Sequence, residues 1–131
     1  MADYQPIVSG GAKPWTATTS GAVTGGRVLV ESGSGTVAHA GVEAADVVGV
    51  AAFDAGSGAK VTVWPLDGVI HELEASGAIA TGAGIVTDAN GQVKTAPTSI
   101  ATQAALGTLI GTALTTAAGS PTLKLRVQGR R

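Results

Sequence analysis

Two stretches of the chain alternate apolar and polar residues with a period of two. In "KVTVW" (60–64) the valines fall on one face, and the lysine, threonine and tryptophan fall on the other. "LKLRV" (123–127) repeats the pattern with its leucines and valine on one face. This period is typical of half-buried β-strands. Other Val- and Ile-rich stretches, separated by glycines, are interpreted as further strands: 26–31, 46–53, 68–73 and 84–88.

Helical signal is thin. "VEAAD" (42–46) has the length of a single turn, and "SIATQAALGTLI" (99–110) predicts a short helix that Gly107 weakens. The Asn90–Gly91 pair is the preferred centre of a tight hairpin turn. The pattern therefore predicts a mainly β fold with at most one or two short helices.

The first 19 residues show no helical or strand periodicity and contain two prolines and two adjacent glycines. Composition alone predicts an extended N-terminal arm over residues 1–19. Tyr4 and Trp15 lie on this arm, although a fully solvated tail has little use for large aromatics. We therefore expect the arm to become ordered by lying on the body, on a neighbouring subunit or on a larger surface.

The rest of the chain repeats itself. "SGAV" (20–23) returns as "SGAI" (76–79), "SGTV" (34–37) as "NGQV" (90–93), and "KVTV" (60–63) as "KLRV" (124–127). Val28–Leu29 likewise matches Ile85–Val86, and Gly49 and Ala51 match Gly111 and Ala113. The order never breaks, and the offset drifts only from 56 to 64 residues. We interpret residues 20–131 as one β domain made of two related half-units, 20–63 and 76–127, in which a compact small β-barrel or β-tulip-like body removes exposed strand edges.

Composition limits the class of protein. Only 13% of the 131 residues are charged, against roughly 25% in an ordinary soluble domain, which suggests that much of the surface faces other protein. A net charge of −1 gives no reason to expect a nucleic-acid partner. Half of the basic residues, including Arg130 and Arg131, lie in the last eight positions, either as a solvated tail or as a contact to an acidic partner.

The chain has no cysteine, and the sequence predicts neither a secretory signal nor a membrane span. We therefore expect synthesis in a reducing cytoplasm and no membrane partner.

The search for catalytic motifs returns none. "GSGAK" (56–60) looks like a phosphate-binding loop, but a P-loop needs Ser or Thr after the lysine and a helix beyond it. Valine and a predicted strand follow instead, so a turn between two strands is the better interpretation. No serine lies in a G-x-S-x-G frame. His39 and His71 are expected to be ordinary surface histidines. In "HELE" (71–74) a strand would place the histidine and the carboxylates on opposite faces, which splits a metal site. We expect no enzyme activity, no cofactor and no metal.

The order of motifs resembles that of the capsid decoration (cement) proteins of tailed bacteriophages. The resemblance rests on "SGAVTGGRVLV", "VVGVAAFDAGSGAKVTV", "DGVIHELEASGAIATGAGIVTDANGQVKT" and "LIGTALTTAAGSPTLKLRVQG", and it covers about residues 15–129. It implies a compact β protein, often a homotrimer, on the outer surface of the capsid in the virion. Such a protein stabilises the expanded shell by clamping neighbouring major capsid subunits, and it is made in the bacterial cytoplasm.

The family pattern transfers no site residue, so contacts with the capsid or a neighbour are guessed from composition: Tyr4, Pro6, Ile7, Trp15, Arg130 and Arg131. Two alternatives remain open. One is another virion part, such as a head fibre or tail subunit. The other is a non-catalytic carbohydrate-binding β module, against which the scarcity of aromatics counts.

Overall fold

The computed structural model describes residues 4–7, 9–116 and 124–129, the last of these as backbone only. Within these residues the chain is mainly β with one short α-helix, as the sequence predicts. The elements are β1 Trp15–Thr19, β2 Val28–Gly33, β3 Thr36–His39, β4 Val47–Ala51, β5 Lys60–Trp64, β6 Ile70–Glu74, β7 Gly84–Thr87, β8 Val93–Thr95, α1 Ile100–Leu106, β9 Gly111–Ala113 and β10 Lys124–Gly129.

Strands β1 to β5 form a closed barrel in the order β1-β3-β2-β4-β5. Strand β1 closes it, because it pairs antiparallel with β5 on one side and parallel with β3 on the other. A closed sheet leaves no unpaired edge. The small β-barrel expected from the sequence is thus confirmed in the first half of the chain.

Strands β6 to β10 form a second five-stranded sheet in the order β6-β10-β9-β7-β8. Strand for strand, this order matches that of the barrel. Where the barrel is closed by the parallel pair Thr19↔Val37, the second sheet has a single parallel bridge at Ala75↔Val93. Both members of the pair lie 56 residues further along the chain. The two related half-units predicted from the repeat are therefore present in the topology, and each begins earlier than predicted, since β1 belongs to the first and β6 to the second.

The strand register corrects one detail of the sequence repeat. Leu29 lies opposite His39 in the first half-unit, and Ile85 lies opposite Thr95 in the second. Leu29 therefore corresponds to Ile85, one residue away from the match made by sequence. In a stretch of adjacent aliphatic residues the letters fit equally well in either frame, and only strand pairing decides between them.

The buried residues repeat as well. The interior of the barrel consists of Ala17, Val23, Leu29, Val37, Ala51, Val61 and Val63. Corresponding positions of the second half-unit are also buried: Leu73, Ile79, Ile85, Val93 and Ala113. These residues share one cluster with barrel residues that face outward, among them Val28, Val47 and Val50. The second core is therefore continuous with the interface between the half-units.

The structure bears on four local predictions. "GSGAK" is a turn between β4 and β5: Gly58 has a φ of 79°, and its N–H donates to the carbonyl of Thr19. Asn90 and Gly91 both have positive φ and reverse the chain between β7 and β8. The helix predicted over 99–110 is shorter, because Gly107 adopts a left-handed conformation that ends it. Residues 42–46 contain a turn at 42–43 and no helix.

Candidate functional site

The N-terminal residues 4–7, called here the N-terminal strap, cross from one half-unit to the other. The N–H of Tyr4 donates to the carbonyl of Ala52 at 2.5 Å, just after β4 of the barrel. The N–H of Ile7 donates to the carbonyl of Ile70 at 2.8 Å, at the start of β6. The strap therefore ties the barrel to the second sheet through its backbone.

The Tyr4 side chain anchors the strap to a buried histidine. Its hydroxyl lies 2.6 Å from Nδ1 of His71, and the N–H of Glu72 donates to the same hydroxyl at 3.1 Å. On the far side of the ring, Nε2 of His71 lies 2.8 Å from the carbonyl of Pro65. A carbonyl only accepts, so Nε2 carries the proton and Nδ1 accepts from Tyr4. The four groups form one satisfied chain of hydrogen bonds.

Burial controls the ionisation of this pair. His71 is fully buried, and desolvation lowers its pKa, although the Pro65 carbonyl opposes the shift. Burial likewise raises the pKa of Tyr4. Both groups are therefore neutral near pH 7, as their mutual hydrogen bond requires.

The expectation that both histidines lie on the surface is wrong for His71. Strand alternation places it on the same face as Leu73, and that face forms the core of the second half-unit. A histidine is tolerated there because Tyr4 and Pro65 satisfy both ring nitrogens. His39 is half-buried, and its Nε2 accepts from the N–H of Thr24 at 2.9 Å.

An apolar surface surrounds Trp64, next to the strap. One shallow pocket of about 320 Å³ is lined by Tyr4, Gln5, Ala52, Phe53, Thr62 and Trp64. A second pocket of about 220 Å³ is lined by Gln5, Pro6, Ile7, Ser9 and Trp64. We call the combined area formed by Gln5, Pro6, Ile7, Phe53, Thr62 and Trp64 the Trp64 surface. It combines aromatic and aliphatic walls with an amide and a hydroxyl.

The residues guessed as contacts occupy different environments. Pro6 and Ile7 belong to the Trp64 surface, and Ile7 is 43% exposed. Trp15 is 42% exposed at the start of β1, opposite Val63. Tyr4 is half-buried, and its hydroxyl is engaged inside the molecule. Arg130 and Arg131 lie outside the described residues.

Sequence reasoning missed Trp64 and Phe53 as members of this surface. The signal for Trp64 was present, since the alternation in "KVTVW" places it on the outer face of its strand. The strap completes the surface by placing Gln5, Pro6 and Ile7 beside Trp64. No sequence pattern predicts where residues 4–7 lie.

Within the described part of the chain, no three His, Asp or Glu side chains are grouped so as to hold a metal ion. The carboxylates of "HELE" are partly buried on the face opposite His71, as the alternation predicts, and that of Glu74 pairs with Arg27. No helix among the described residues is long and apolar enough to cross a membrane. What the geometry offers is a contact surface beside a closed barrel.

Comparisons with known proteins agree with this description. A solved structure with a similar fold is the crystal structure of the head fiber gp8.5 N base in bacteriophage phi29, with a TM-score of 0.63 and 20% sequence identity. The match covers 91% of this chain and 97% of that chain. A search of curated proteins gave no match. The family model of the phage cement proteins matches residues 8–129, which is nearly the whole chain. The chain therefore belongs to the phage cement protein family and is a structural protein of the phage virion.

Proposed function

We propose that this protein binds the outer surface of an expanded phage capsid and clamps neighbouring major capsid subunits against internal pressure. Membership of the cement family carries the proposal. We further propose that it acts as a homotrimer and that it is made in the cytoplasm of the host bacterium. Its role is mechanical, and no reaction is assigned to it.

The Trp64 surface supports a capsid contact. Trp64 and Phe53 are partly exposed beside Pro6 and Ile7, and this group lies on a protein with few charges. Aromatic anchors in desolvated pockets carry much of the energy of protein interfaces. The strap offers a second mode of contact, since an extended segment can pair with a strand or fill a groove on a neighbour.

The body is suited to a clamp that stays in place. Its barrel is closed, and its strap ties the two half-units together. Resistance to force and heat depends on slow unfolding, which such long-range contacts favour.

Co-sedimentation with undecorated heads tests the proposal. The wild type is expected in the pellet at saturating stoichiometry, and Trp64→Ser is expected to weaken binding by tenfold or more. Leu106→Ser is the matched control, because Leu106 is 63% exposed on α1 in the other half-unit. Absence of the wild type from the pellet would overturn the proposal. If both variants lose the same affinity for heads, the Trp64 surface is not the capsid contact.

A second candidate is a base or subunit of a head fibre. The similarity in fold to the phi29 head fiber base favours it. Negative-stain images of saturated heads distinguish the two functions. A cement protein thickens the shell uniformly, whereas a fibre base carries projections at discrete positions.

A further inference from the structure

The two half-units associate head to tail. The turn between β7 and β8 in the second half-unit lies on the first half-unit, where the N–H of Gly91 donates to the carbonyl of Ala40 at 2.9 Å. Nη1 of Arg27 donates to the carbonyl of Asn90 at 2.8 Å. A Cβ at Gly91 would lie 2.7 Å from the carbonyl oxygen of Val28, so the approach is close to backbone contact.

The corresponding turn of the first half-unit, between β2 and β3, points away from such a contact. Ser32, Gly33, Ser34 and Gly35 are all exposed. Gly35 has the same left-handed backbone as Gly91, with φ values of 74° and 72°. A Cβ at Gly35 would meet no atom of the described chain within 4 Å. One turn is used internally, and its equivalent is presented to solvent.

Such an arrangement is heterologous rather than two-fold, and heterologous contacts continue into open chains unless something ends them. The face that would continue this chain is the second half-unit's equivalent of Arg27, Val28 and Ala40. By the register of the two sheets, that face consists of Ala83, Gly84 and Ala96.

The start of helix α1 lies over Gly84, the central residue of this face. A Cβ at Gly84 would lie 2.8 Å from Cγ1 of Ile100 and 3.3 Å from Cδ1 of Leu109. Gly84 and Leu109 are buried. Ile100, the first residue of α1, and Leu109, which follows the helix, thus occupy the place where, in the first half-unit, the neighbouring half-unit packs.

The helix is an addition specific to the second half-unit. In the first half-unit seven residues, 40–46, connect β3 to β4, whereas fifteen residues, 96–110, connect β8 to β9. The buried Gln103 ties the helix to its own flanking residues: its amide donates to Oγ1 of Thr98 at 2.6 Å and its Oε1 accepts from the hydroxyl of Thr108. Satisfied internal hydrogen bonds of this kind give the connection one defined shape.

We propose that α1 is a cap that prevents a second copy of this chain from adding its β2–β3 turn to the second half-unit. The occupant that it excludes is the Gly35 turn of another molecule, in the mode that the Gly91 turn uses within the chain. Terminal caps play the same part in repeat proteins, whose stacking faces otherwise stay open. The cap thus prevents copies of the protein from associating head to tail into filaments before they bind their target.

Replacing residues 97–108 with the first half-unit's "GVEAAD" (41–46) tests the cap in the free protein. Light scattering coupled to size exclusion is expected to give a molar mass that rises with protein concentration and exceeds that of the unmodified protein. Adding Gly35→Asn should abolish it, because a side chain there meets the acceptor backbone, while Asn tolerates positive φ. Gly35→Asn alone should behave as the parent.

Two outcomes would overturn the proposal: a folded loop-replaced variant with the size of the parent at every concentration, or association that persists with Gly35→Asn. Ile100→Ser provides a second test in case the loop-replaced variant does not fold. It removes the side chain over Gly84 and leaves the helix in place. Ile100→Ser should associate more weakly than the loop-replaced variant, and Gly35→Asn should abolish that association too. If its molar mass equals that of the unmodified protein at every concentration, the result counts against the cap.

Discussion

The hydroxyl of Tyr4 donates to Nδ1 of His71 across 2.6 Å, joining the start of the chain to the core of the second half-unit. His71 is fully buried, so its Nδ1 depends on Tyr4 for a donor. The strap is therefore not merely laid on the body. Its position is specified by a hydrogen bond whose loss would leave polar groups unsatisfied inside the protein.

Tyr4→Phe is expected to lower the free energy of unfolding by about 1–3 kcal/mol. The ring still packs, but Nδ1 of His71 loses its donor and the N–H of Glu72 loses its acceptor. Urea unfolding followed by circular dichroism measures the loss. Gln5→Ala is the matched control, because Gln5 is exposed on the same strap, and we expect a change within about 0.5 kcal/mol. A Tyr4→Phe protein as stable as the control would contradict the anchor.

Stability is expected to fall as the pH is lowered from about 6.5 towards the depressed pKa of His71. The unfolded chain binds a proton near pH 6.5, whereas the buried ring resists it, so acid favours unfolding over that interval. His39, whose pKa is lowered first by burial and then by Arg27, adds a loss in the same direction. His71 contributes a slope of up to about 1.4 kcal/mol per pH unit, and the half-buried His39, which is screened by solvent, contributes less.

His39→Gln separates the two histidines. In this variant, urea titrations between about pH 7 and pH 5 should still show the part of the pH dependence of the free energy of unfolding that His71 supplies. Asp88 does not interfere, because its hydrogen bond from Ser76 lowers its pKa and places its loss of stability further into acid. Stability independent of pH in His39→Gln would show that His71 accepts a proton as readily when folded as when unfolded.

The strands of the body were predictable because their patterning is local. "KVTVW" alternates, and it lies in the structure as β5 with its valines inward. The repeat also predicted the second half-unit, since "SGTV" and "NGQV" mark equivalent turns. Strand β1 was missed because "WTATT" is dominated by threonine and shows no contrast between its faces. Its pairing with β3 and β5 is a tertiary property that only the closed barrel imposes.

The candidate site was less predictable than the fold. Tyr4 and Trp15 were singled out because aromatics are rare in this chain, yet their roles differ: Tyr4 anchors the strap and Trp15 is exposed. His71 was misplaced because a polar residue in a strand is assigned to the outer face unless a partner is known. That partner lies 67 residues away in the chain, beyond the reach of any local pattern.

Gly49→Ala is expected to destabilise the barrel by about 1–3 kcal/mol or more, since its Cβ would lie 2.6 Å from Cγ1 of Val63 and press on the backbone of Trp64. Both neighbours belong to β5, so the strand must move away from β4. Gly56→Ala is the control, because a Cβ there meets nothing within 4 Å and the residue is exposed. Thermal unfolding compares the two variants. Similar midpoints would mean that β4 and β5 accommodate the added methyl group without a loss of stability.

Truncations at the N-terminus separate the strap from the barrel. Removing residues 2–12 takes away the strap and leaves β1, so we expect a folded body that unfolds cooperatively, with lower stability because His71 loses Tyr4. Removing residues 2–18 also takes most of β1 and leaves β3 and β5 with unpaired edges, so cooperative unfolding should be lost. Circular dichroism during heating distinguishes these outcomes.

The same truncations report on attachment to heads. If the strap contributes to the capsid contact, the 2–12 deletion should stay in the supernatant in co-sedimentation, whereas Tyr4→Phe, which keeps Pro6 and Ile7, should bind with reduced affinity. Both are assayed at a temperature where circular dichroism shows them folded, so that unfolding does not imitate a lost contact. Saturation of heads by the 2–12 deletion at the wild-type concentration would restrict the strap to holding the half-units together and leave the contact to Trp64 and the residues around it.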